Sequence, residues 1–543
     1  MTDRTAAPTA PVTAGGLEQR LGLFDATMLV AGSMIGSGIF IVSAEIARDT
    51  GGAGWLLAVW ALAGLMTVIG ALSYGELAAM MPRAGGQYVY LREAYSPLWG
   101  FLYGWTSFLV IQTGTIAAVA VAFGKFLGVL VPTLGTGPEA ELLRLPGFVG
   151  IPLPLPGLDA PLLLFKKDAF TISAGQLIGV AMILFLTWWN TRGLTEGKWL
   201  QNIFTVAKIG GLIAVIAVGL TLTANADVWR ANFADPWGGI TGTDQYARTS
   251  GLVHAGWLTV ALMVMGGAMV GALFSADAWN NVTFTAGEVR NPHRNLPLSL
   301  FCGTGLVIAL YLLANVSYVS SLPVHSDPAK RPALAAVQRE IEGKGEASPQ
   351  DRETARTATV IDRGIEFANN DRVGTALIEL VSPQYGAALM AIAIMVSTFG
   401  CQNGLVLSGA RLTFAMARDG LFFRSVGRVN RNHVPAVGLW VQAAWASLLV
   451  FSGTYNELLE YVIFAALLFY ALTVAGLFVL RVRRPDEPRP YRAVGYPLLP
   501  GLYVGLCTAV MLNLLVVKPV YTWPGLLLVL TGIPVYFLWK IGK

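Results

Sequence analysis

The sequence predicts an all-α polytopic membrane protein with about twelve transmembrane helices. Hydrophobic residues make up 55% of the 543 residues and charged residues 13%, whereas soluble domains carry about 25% charged residues. Apolar runs of spanning length recur along the chain, the first beginning near residue 24 and the last ending near residue 540. Because one span needs about 20 apolar residues, we interpret these runs as membrane-spanning helices.

The chain divides into a tail, two large halves and a final pair of helices. Residues 1–20 are polar and lack the short apolar core of a signal peptide, so we interpret them as a disordered cytoplasmic tail. Residues 21–222 contain predicted spans 1–5, with a Pro- and Leu-rich outer loop at 132–168. Residues 252–480 contain spans 6–10, and residues 497–543 contain spans 11 and 12.

A charged insert at 323–381 lies in the outer connection between spans 7 and 8. Its stretch PALAAVQREIEG places apolar and charged residues at helical spacing, which predicts a helix. We interpret the insert as a solvated cap on the outer face, with a docking platform for a partner as the alternative.

The distribution of basic residues predicts the orientation of the chain. Arginines recur in the short loops after even-numbered spans, while the loop SGTYNE after span 9 has no basic residue. Short cytoplasmic loops carry the excess of Lys and Arg, so both termini are predicted to be cytoplasmic. The net charge of +5 belongs to these loops and does not indicate a nucleic-acid partner.

The sequence offers little for enzyme chemistry. Cys302, Cys401 and Cys507 lie in apolar or span-edge segments, so we expect neither a disulfide framework nor a zinc site. The four histidines are isolated, and HExxH, GxSxG and the P-loop lysine motif are absent. We therefore predict no enzyme activity, no cofactor and no metal.

Two spans carry matched interruptions. Span 1 contains AGSMIGSGIF at residues 31–40, and span 6 contains Gly266, Gly267 and Gly271 followed by a polar cluster from Ser275 to Asn281. Equivalent breaks in two halves indicate an inverted repeat with a binding site between the halves. The alternative is close helix packing through small residues, which Gly32 and Gly36 alone would satisfy.

Interrupted helices in lipid present free peptide groups. An unwound backbone survives at membrane depth only around a cavity or a ligand. The N–H groups that begin a half-helix suit a carboxylate, and the carbonyls that end one suit an ammonium. A site with both ends would recognise a zwitterion such as an α-amino acid.

Four stretches resemble the amino acid–polyamine–organocation transporters, and especially their L-type amino acid transporter branch. They are GSMIGSGIF and the segments 74–105, 274–300 and 397–422, and the resemblance covers residues 20 to about 480. It implies the fold of the bacterial leucine transporter, with five plus five helices in inverted repeat, helices 1 and 6 broken, and two further helices.

The resemblance also implies roles for individual residues. The N–H groups of Ser37 and Gly38 would bind the substrate carboxylate, and the carbonyls of Met34, Phe274 and Ser275 would accept its ammonium. Gly36 would provide the turn. The predicted substrate site as a whole comprises Met34, Ile35, Gly36, Ser37, Gly38, Phe274, Ser275, Ala276, Asp277 and Asn280.

Asp277 has two interpretations. A carboxylate at the bilayer centre costs about 3 kcal/mol on insertion scales, so it should line a cavity or have a partner. Relatives with an aspartate here tend to accept cationic or polar side chains, which implies a specificity role. Alternatively, Asp277 caps the second half-helix of span 6, because Asp is a favoured N-cap residue.

Lys208 lies about eight residues into span 5, deeper than a loop charge. Its long side chain could extend to the cytoplasmic interface. The resemblance instead implies that its ammonium replaces a bound sodium ion, contacting carbonyls of span 1 and a hydroxyl of Ser397 or Thr398. Transport would then be sodium-independent, either as exchange or coupled to protons.

Together these features predict an L-α-amino acid permease that works by alternating access. The alternatives are a polyamine or cationic amino acid carrier, or a transporter-like amino acid sensor. We expect a bacterial cytoplasmic membrane location, with substrate and membrane lipid as partners. Residues 132–168 contain no cysteine, so we expect no disulfide-linked heavy chain of the kind that binds animal L-type carriers.

Overall fold

The computed structural model describes residues 16–148, 150–153, 162–164, 167–238, 240, 256–341, 345–452 and 455–541. Within these residues, ten helices are long and apolar enough to cross a membrane. Two shorter apolar helices, Leu23–Met34 and Ala436–Val450, belong to predicted spans 1 and 9. The predicted all-α polytopic class is confirmed.

Spans 1 and 6 are each built from separate helical pieces. Span 1 consists of Leu23–Met34, the 3-10 turn Gly38–Phe40 and Val42–Thr50. Span 6 consists of Trp257–Ser275 and Asn281–Phe284. The other spans are Ala53–Met80 (span 2), Pro97–Leu130 (span 3, with a π-helical segment Ser107–Ile111), Ala174–Thr191 (span 4), Leu194–Thr221 (span 5), Pro292–Ser321 (span 7), Gly386–Arg418 (span 8), Ala436–Val450 (span 9), Tyr455–Arg483 (span 10), Leu498–Val517 (span 11) and Pro519–Ile541 (span 12).

The two long outer loops have secondary structure of their own. The loop after span 3 forms two antiparallel strand pairs, Glu141–Phe148 with Lys167–Ser173 and Ile151–Leu153 with Leu162–Leu164. The helix predicted in the charged insert is present as Arg331–Ile341. The insert also contains the helices Pro349–Thr357, Val360–Arg363 and Val373–Glu379.

Packing of the helices places both interruptions inside the bundle. The first half of span 1 contacts spans 5, 7 and 8, and span 7 packs along span 2. Span 3 packs against spans 8 and 10.

Residues 16–20, which fall in the predicted tail, pack against the rest of the protein. Leu17 is buried, and the carbonyl of Gly16 lies 2.8 Å from Nδ1 of His433. Residues 1–15 of that tail lie outside the described residues.

Candidate functional site

The interruption of span 1 lies at the position that its glycines and serines predict. The helix ends at Met34, and Ile35 leaves it with an extended backbone (ψ 100°). Helical geometry returns in the short turn Gly38–Phe40 and then in Val42–Thr50. The peptide groups between these pieces therefore lie outside the regular helical hydrogen-bond pattern, at the middle of a span.

The interruption of span 6 lies at the polar cluster and not at the glycines. Gly266 and Gly271 lie inside the continuous helix Trp257–Ser275. A Cβ on Gly271 would meet Val42 of span 1, so that glycine serves close packing. The chain leaves the helix after Ser275 and passes through Ala278 at φ +65°, and a helix resumes at Asn281.

The two interruptions meet each other in space. A Cβ on Gly38 would collide with the side chain of Ser275, so a glycine is required there for close approach. The backbone of Gly36 does not have a positive φ. A Cβ placed on Gly36 would lie 3.6 Å from Cys401 Sγ, which is an ordinary van der Waals contact. The turn that the resemblance assigns to Gly36 therefore does not depend on glycine's conformational freedom.

A tyrosine of span 7 joins the two interruptions. The hydroxyl of Tyr311 lies 3.2 Å from the carbonyl of Met34 and 3.0 Å from the carbonyl of Ser275. These are the last helical residues of the first pieces of spans 1 and 6. Two of the carbonyls predicted to accept a substrate ammonium thus share one hydroxyl donor.

Lys208 is buried against the interruption of span 1. Its side chain is 3% exposed, so it does not extend to the membrane surface. The ammonium donates to the carbonyls of Gly32 and Ile35, the latter at 2.8 Å, and lies 3.4 Å from the carbonyl of Ser397 in span 8. An ammonium has three donors, and three carbonyls on two spans accept them.

The two candidate hydroxyls of span 8 behave differently. Ser397 Oγ donates to the carbonyl of Gly36 at 2.9 Å and lies 3.3 Å from that of Ile35. Thr398 Oγ donates to the carbonyl of Ile394 in its own helix, at 2.9 Å. Ser397 therefore joins the Lys208 cluster through both its carbonyl and its hydroxyl, whereas the hydroxyl of Thr398 does not reach it.

Asp277 lies in the interruption of span 6 with a tyrosine partner. The hydroxyl of Tyr470 in span 10 donates to its carboxylate at 2.5 Å and also lies 3.2 Å from Asn280 Oδ1. The amide of Asn280 in turn donates to Gln87 Oε1 at 2.9 Å. The N-cap position of the following helix is occupied by Asn280, so the alternative that Asp277 caps this helix is wrong.

Two cavities flank the contact between Asp277 and Tyr470. They are small, with volumes of about 10 and 20 Å³, and share these two residues in their walls. The first also reaches Asn280 and Tyr103, and the second lies toward Tyr503. Within the described chain, the walls of these two cavities do not include residues 34–38, because the first interruption is packed against span 6 and Lys208.

Comparison with known proteins identifies the family. The family model described as amino acid permease matches residues 21–337 and 357–537. The chain belongs to the amino acid permease family. It is an amino acid transporter and not an enzyme, and its apolar helices make it a multi-pass membrane protein.

Individual relatives of this permease are amino acid transporters of several types. It is 28% identical to the human b(0,+)-type amino acid transporter 1, over 96% of this chain and 88% of that protein. It is also 28% identical to the mouse large neutral amino acids transporter small subunit 2, over 98% of this chain and 83% of that protein. The mouse Asc-type amino acid transporter 1 is 25% identical over 96% of this chain and 81% of that protein.

A buried ion pair lies on the side of the N terminus. Two nitrogens of Arg411 in span 8 each lie 3.0 Å from a carboxylate oxygen of Glu288, and both side chains are at most 1% exposed. The backbone N–H of Leu21, just before span 1, donates to the Glu288 carbonyl at 2.9 Å. The entry to span 1, the loop after span 6 and span 8 are thereby held together.

On the opposite side, the charged insert is fastened to the second half of span 1. Arg48 donates to the carbonyl of Glu366 at 2.7 Å and pairs with the carboxylate of Asp371 at 2.5 Å. Burial raises the pKa of Glu366, but hydrogen bonds from His325 and Ser326 outweigh it and hold that pKa below its usual range. Glu366 thus remains an anion that anchors the insert at neutral pH.

The described residues hold no group of three or more His, Cys, Asp and Glu side chains arranged for a metal ion. The three cysteines are free thiols.

Tyr311 and Tyr470 are the main site residues that the sequence did not predict. Each is one of many aromatic residues in an apolar span, and only its position opposite an interruption distinguishes it.

Proposed function

We propose that this permease carries an L-α-amino acid by alternating access without sodium. The observation that carries the proposal is the contact of the Lys208 ammonium with the carbonyls of Gly32, Ile35 and Ser397. Carbonyl oxygens that converge from two spans are also the ligands that a hard cation prefers. Because the ammonium is covalently tethered, it supplies this charge without an ion from solution.

The substrate's α-amino and α-carboxylate groups are proposed to bind the two interruptions. The N–H groups of Ser37 and Gly38 would bind the carboxylate at the start of the short turn of span 1. The ammonium would take the carbonyls of Met34 and Ser275, which the Tyr311 hydroxyl reaches at 3.2 and 3.0 Å. A bound ammonium would therefore share or displace the tyrosine's hydrogen bond.

The third predicted carbonyl is less available. The carbonyl of Phe274 accepts the backbone N–H of Asp277 at 3.1 Å within the turn that ends the helix. Its ring remains buried at 8% exposure beside the interruption. We therefore assign Phe274 a role in covering the substrate, with ammonium recognition resting on the other two carbonyls.

The substrate side chain is proposed to point toward Asp277. This carboxylate is buried at 7% exposure and lines both cavities. A carboxylate with one tyrosine donor retains acceptor capacity for a further donor, which favours substrates with polar or cationic side chains. Ala276 and Asn280 complete this part of the proposed site.

A cationic amino acid is the second candidate, and Asp277 is the observation that favours it. A polyamine would also neutralise the carboxylate, but it has no carboxylate of its own for the N–H groups of Ser37 and Gly38. The two classes therefore differ in whether the span 1 interruption contributes to binding.

Orientation and location are likewise proposed. The backbone N–H of Leu21 donates to the carbonyl of Glu288, and the carbonyl of Leu21 accepts the N–H of Arg290, which supports placing the N terminus on the side of the loop after span 6. The arginines of the loops after even-numbered spans favour the cytoplasm for that side. We infer a bacterial cytoplasmic membrane and a carrier without a disulfide-linked heavy chain.

The experiment is counterflow of labelled amino acids into proteoliposomes preloaded with unlabelled substrate. Sodium is replaced by choline in one arm, and a pH gradient is imposed in another. We expect equal counterflow in sodium and in choline. Loss of counterflow in choline would refute the proposal, and stimulation by an inward proton gradient would separate proton coupling from simple exchange.

A further inference from the structure

The loop between spans 3 and 4 contains a two-stranded ribbon with one apolar face. The ribbon is formed by Glu141–Phe148 and Lys167–Ser173. Leu143 is paired with Ile172 and Leu145 with Phe170, and directly paired residues of antiparallel strands share a face. Leu143 and Leu145 are 47% and 46% exposed, and Phe170 and Ile172 are half-buried, so the described residues leave this face partly uncovered.

The other face of the ribbon is polar at its centre. Arg144 is paired with Thr171, and both are exposed. Side chains alternate between the two faces along a strand, so Arg144 and Thr171 lie on the face opposite Leu143 and Leu145, and the exposed Pro146 follows Arg144 on that face. Phe148 lies at the distal end of the polar face. The ribbon is therefore amphipathic over its central pairs, from Leu143–Ile172 to Leu145–Phe170.

The ribbon continues directly into a membrane-spanning helix. Its last residue, Ser173, is the N-cap of span 4, accepting the N–H of Gln176 at 3.3 Å. The first exposed apolar residue of that helix, Leu177, follows within about one turn and is 46% exposed. The neighbouring strand Leu162–Leu164 packs against span 12. The ribbon thus adjoins the exposed apolar surface of span 4.

We propose that this ribbon lies in the interfacial layer of the bilayer, with its apolar face on phospholipid acyl chains and its polar face toward water. A two-stranded ribbon is marginally stable alone in water, and covering the exposed side chains of Leu143 and Leu145 with an apolar surface would stabilise it. The continuity of the ribbon with span 4 selects lipid as the occupant. This inference goes beyond the transport proposal and does not depend on it.

The unpaired edges of the ribbon fix its depth. Sheet edges do not occur in the hydrocarbon region, because their N–H and C=O groups find no partners there. At the level of the headgroups, water and phosphates satisfy these groups while the side chains of Leu143 and Leu145 reach the acyl chains. The ribbon therefore lies along the membrane surface and does not cross it.

The test is the accessibility of spin labels in nanodiscs of phosphatidylethanolamine and phosphatidylglycerol. The background is Cys302→Ser, because Cys401 and Cys507 are buried at 3% and 0% exposure. Single cysteines are introduced and spin-labelled at the ribbon positions Leu143, Arg144, Leu145 and Thr171. Matched references are Leu184→Cys on the exposed apolar side of span 4 and Gln350→Cys on the exposed insert.

Collision with oxygen, which concentrates in lipid, is compared with collision with a water-soluble nickel chelate. We expect labels at Leu143 and Leu145 to give positive logarithms of the oxygen-to-nickel ratio, as at Leu184. Labels at Arg144 and Thr171 should give negative values, as at Gln350. A size-exclusion profile matching the parent protein verifies the fold of each labelled variant.

Two outcomes would overturn the inference. If all four ribbon positions behave like Gln350, the ribbon lies in water. If Leu143 and Leu145 are closed to both relaxants, a protein surface such as a second copy of this chain covers the face. Spin–spin broadening at those positions would identify the second copy.

Discussion

Replacing Lys208 with methionine tests the role of its ammonium directly. The change keeps the length of the side chain and removes the charged donor from the carbonyls of Gly32 and Ile35. A hydrogen bond from a charged group contributes about 1.5–3 kcal/mol, so these two contacts together contribute about 3–6 kcal/mol. Since about 1.4 kcal/mol corresponds to a factor of ten, we expect transport to fall at least about 100-fold.

The assay is counterflow of labelled substrate in proteoliposomes with matched amounts of protein. Folded protein should be retained in detergent, because methionine also removes the cost of burying a charge. The matched control is Lys540→Met, since Lys540 is exposed at the end of span 12. Monodisperse Lys208→Met protein that transports at the parental rate would refute the reasoning.

Three further predictions concern other contacts of the site. Asp277→Asn keeps a partner for Tyr470 but removes the charge, so competition by cationic amino acids should weaken about tenfold relative to neutral ones, by about 1.4 kcal/mol; an unchanged ranking across a panel would contradict this. Arg411→Met leaves the Glu288 carboxylate buried without its partner and should destabilise the fold by about 3–5 kcal/mol. A thermal melt in detergent measures this change, and a midpoint equal to the parental value would contradict the prediction. Ser397→Ala should slow counterflow, whereas Thr398→Ala should not; equal effects would show that the hydroxyl contact with span 1 is unimportant.

The interruptions of spans 1 and 6 could be predicted because they are local features of the sequence. Clustered Gly and Ser in span 1, and polar residues from Ser275 in span 6, disfavour a regular apolar helix wherever they are placed. The exact position of the interruption within span 6 was harder to predict. Glycines such as Gly266 and Gly271 favour an interruption of a helix, but packing against other spans keeps both of them helical.

The partners of the site could not be predicted, because they come from distant parts of the chain. Glu288 and Arg411 are separated by 123 positions, and each is one of many charges near a span end. Tyr470 reaches Asp277 across 193 positions. Such contacts depend on how the helices pack, and a single sequence contains no record of that packing.

The secondary structure of the ribbon after span 3 also depends on contacts between distant residues. Its strand Glu141–Phe148 contains Pro146 and Gly147, which are unfavourable in strands. Pairing with Lys167–Ser173 stabilises it, and that pairing is not local. The sequence therefore indicates only a Pro- and Leu-rich outer loop, where the structure has a paired ribbon.

The central claim is that main-chain groups released by the two interruptions recognise the α-ammonium and α-carboxylate of the solute. Competition against uptake of a labelled substrate measures this most directly, using the same amino acid with its carboxylate methyl-esterified or its amino group removed. The account predicts that both analogues fail to compete at concentrations where the parent amino acid competes fully. Competition by either analogue with the potency of the parent would contradict it.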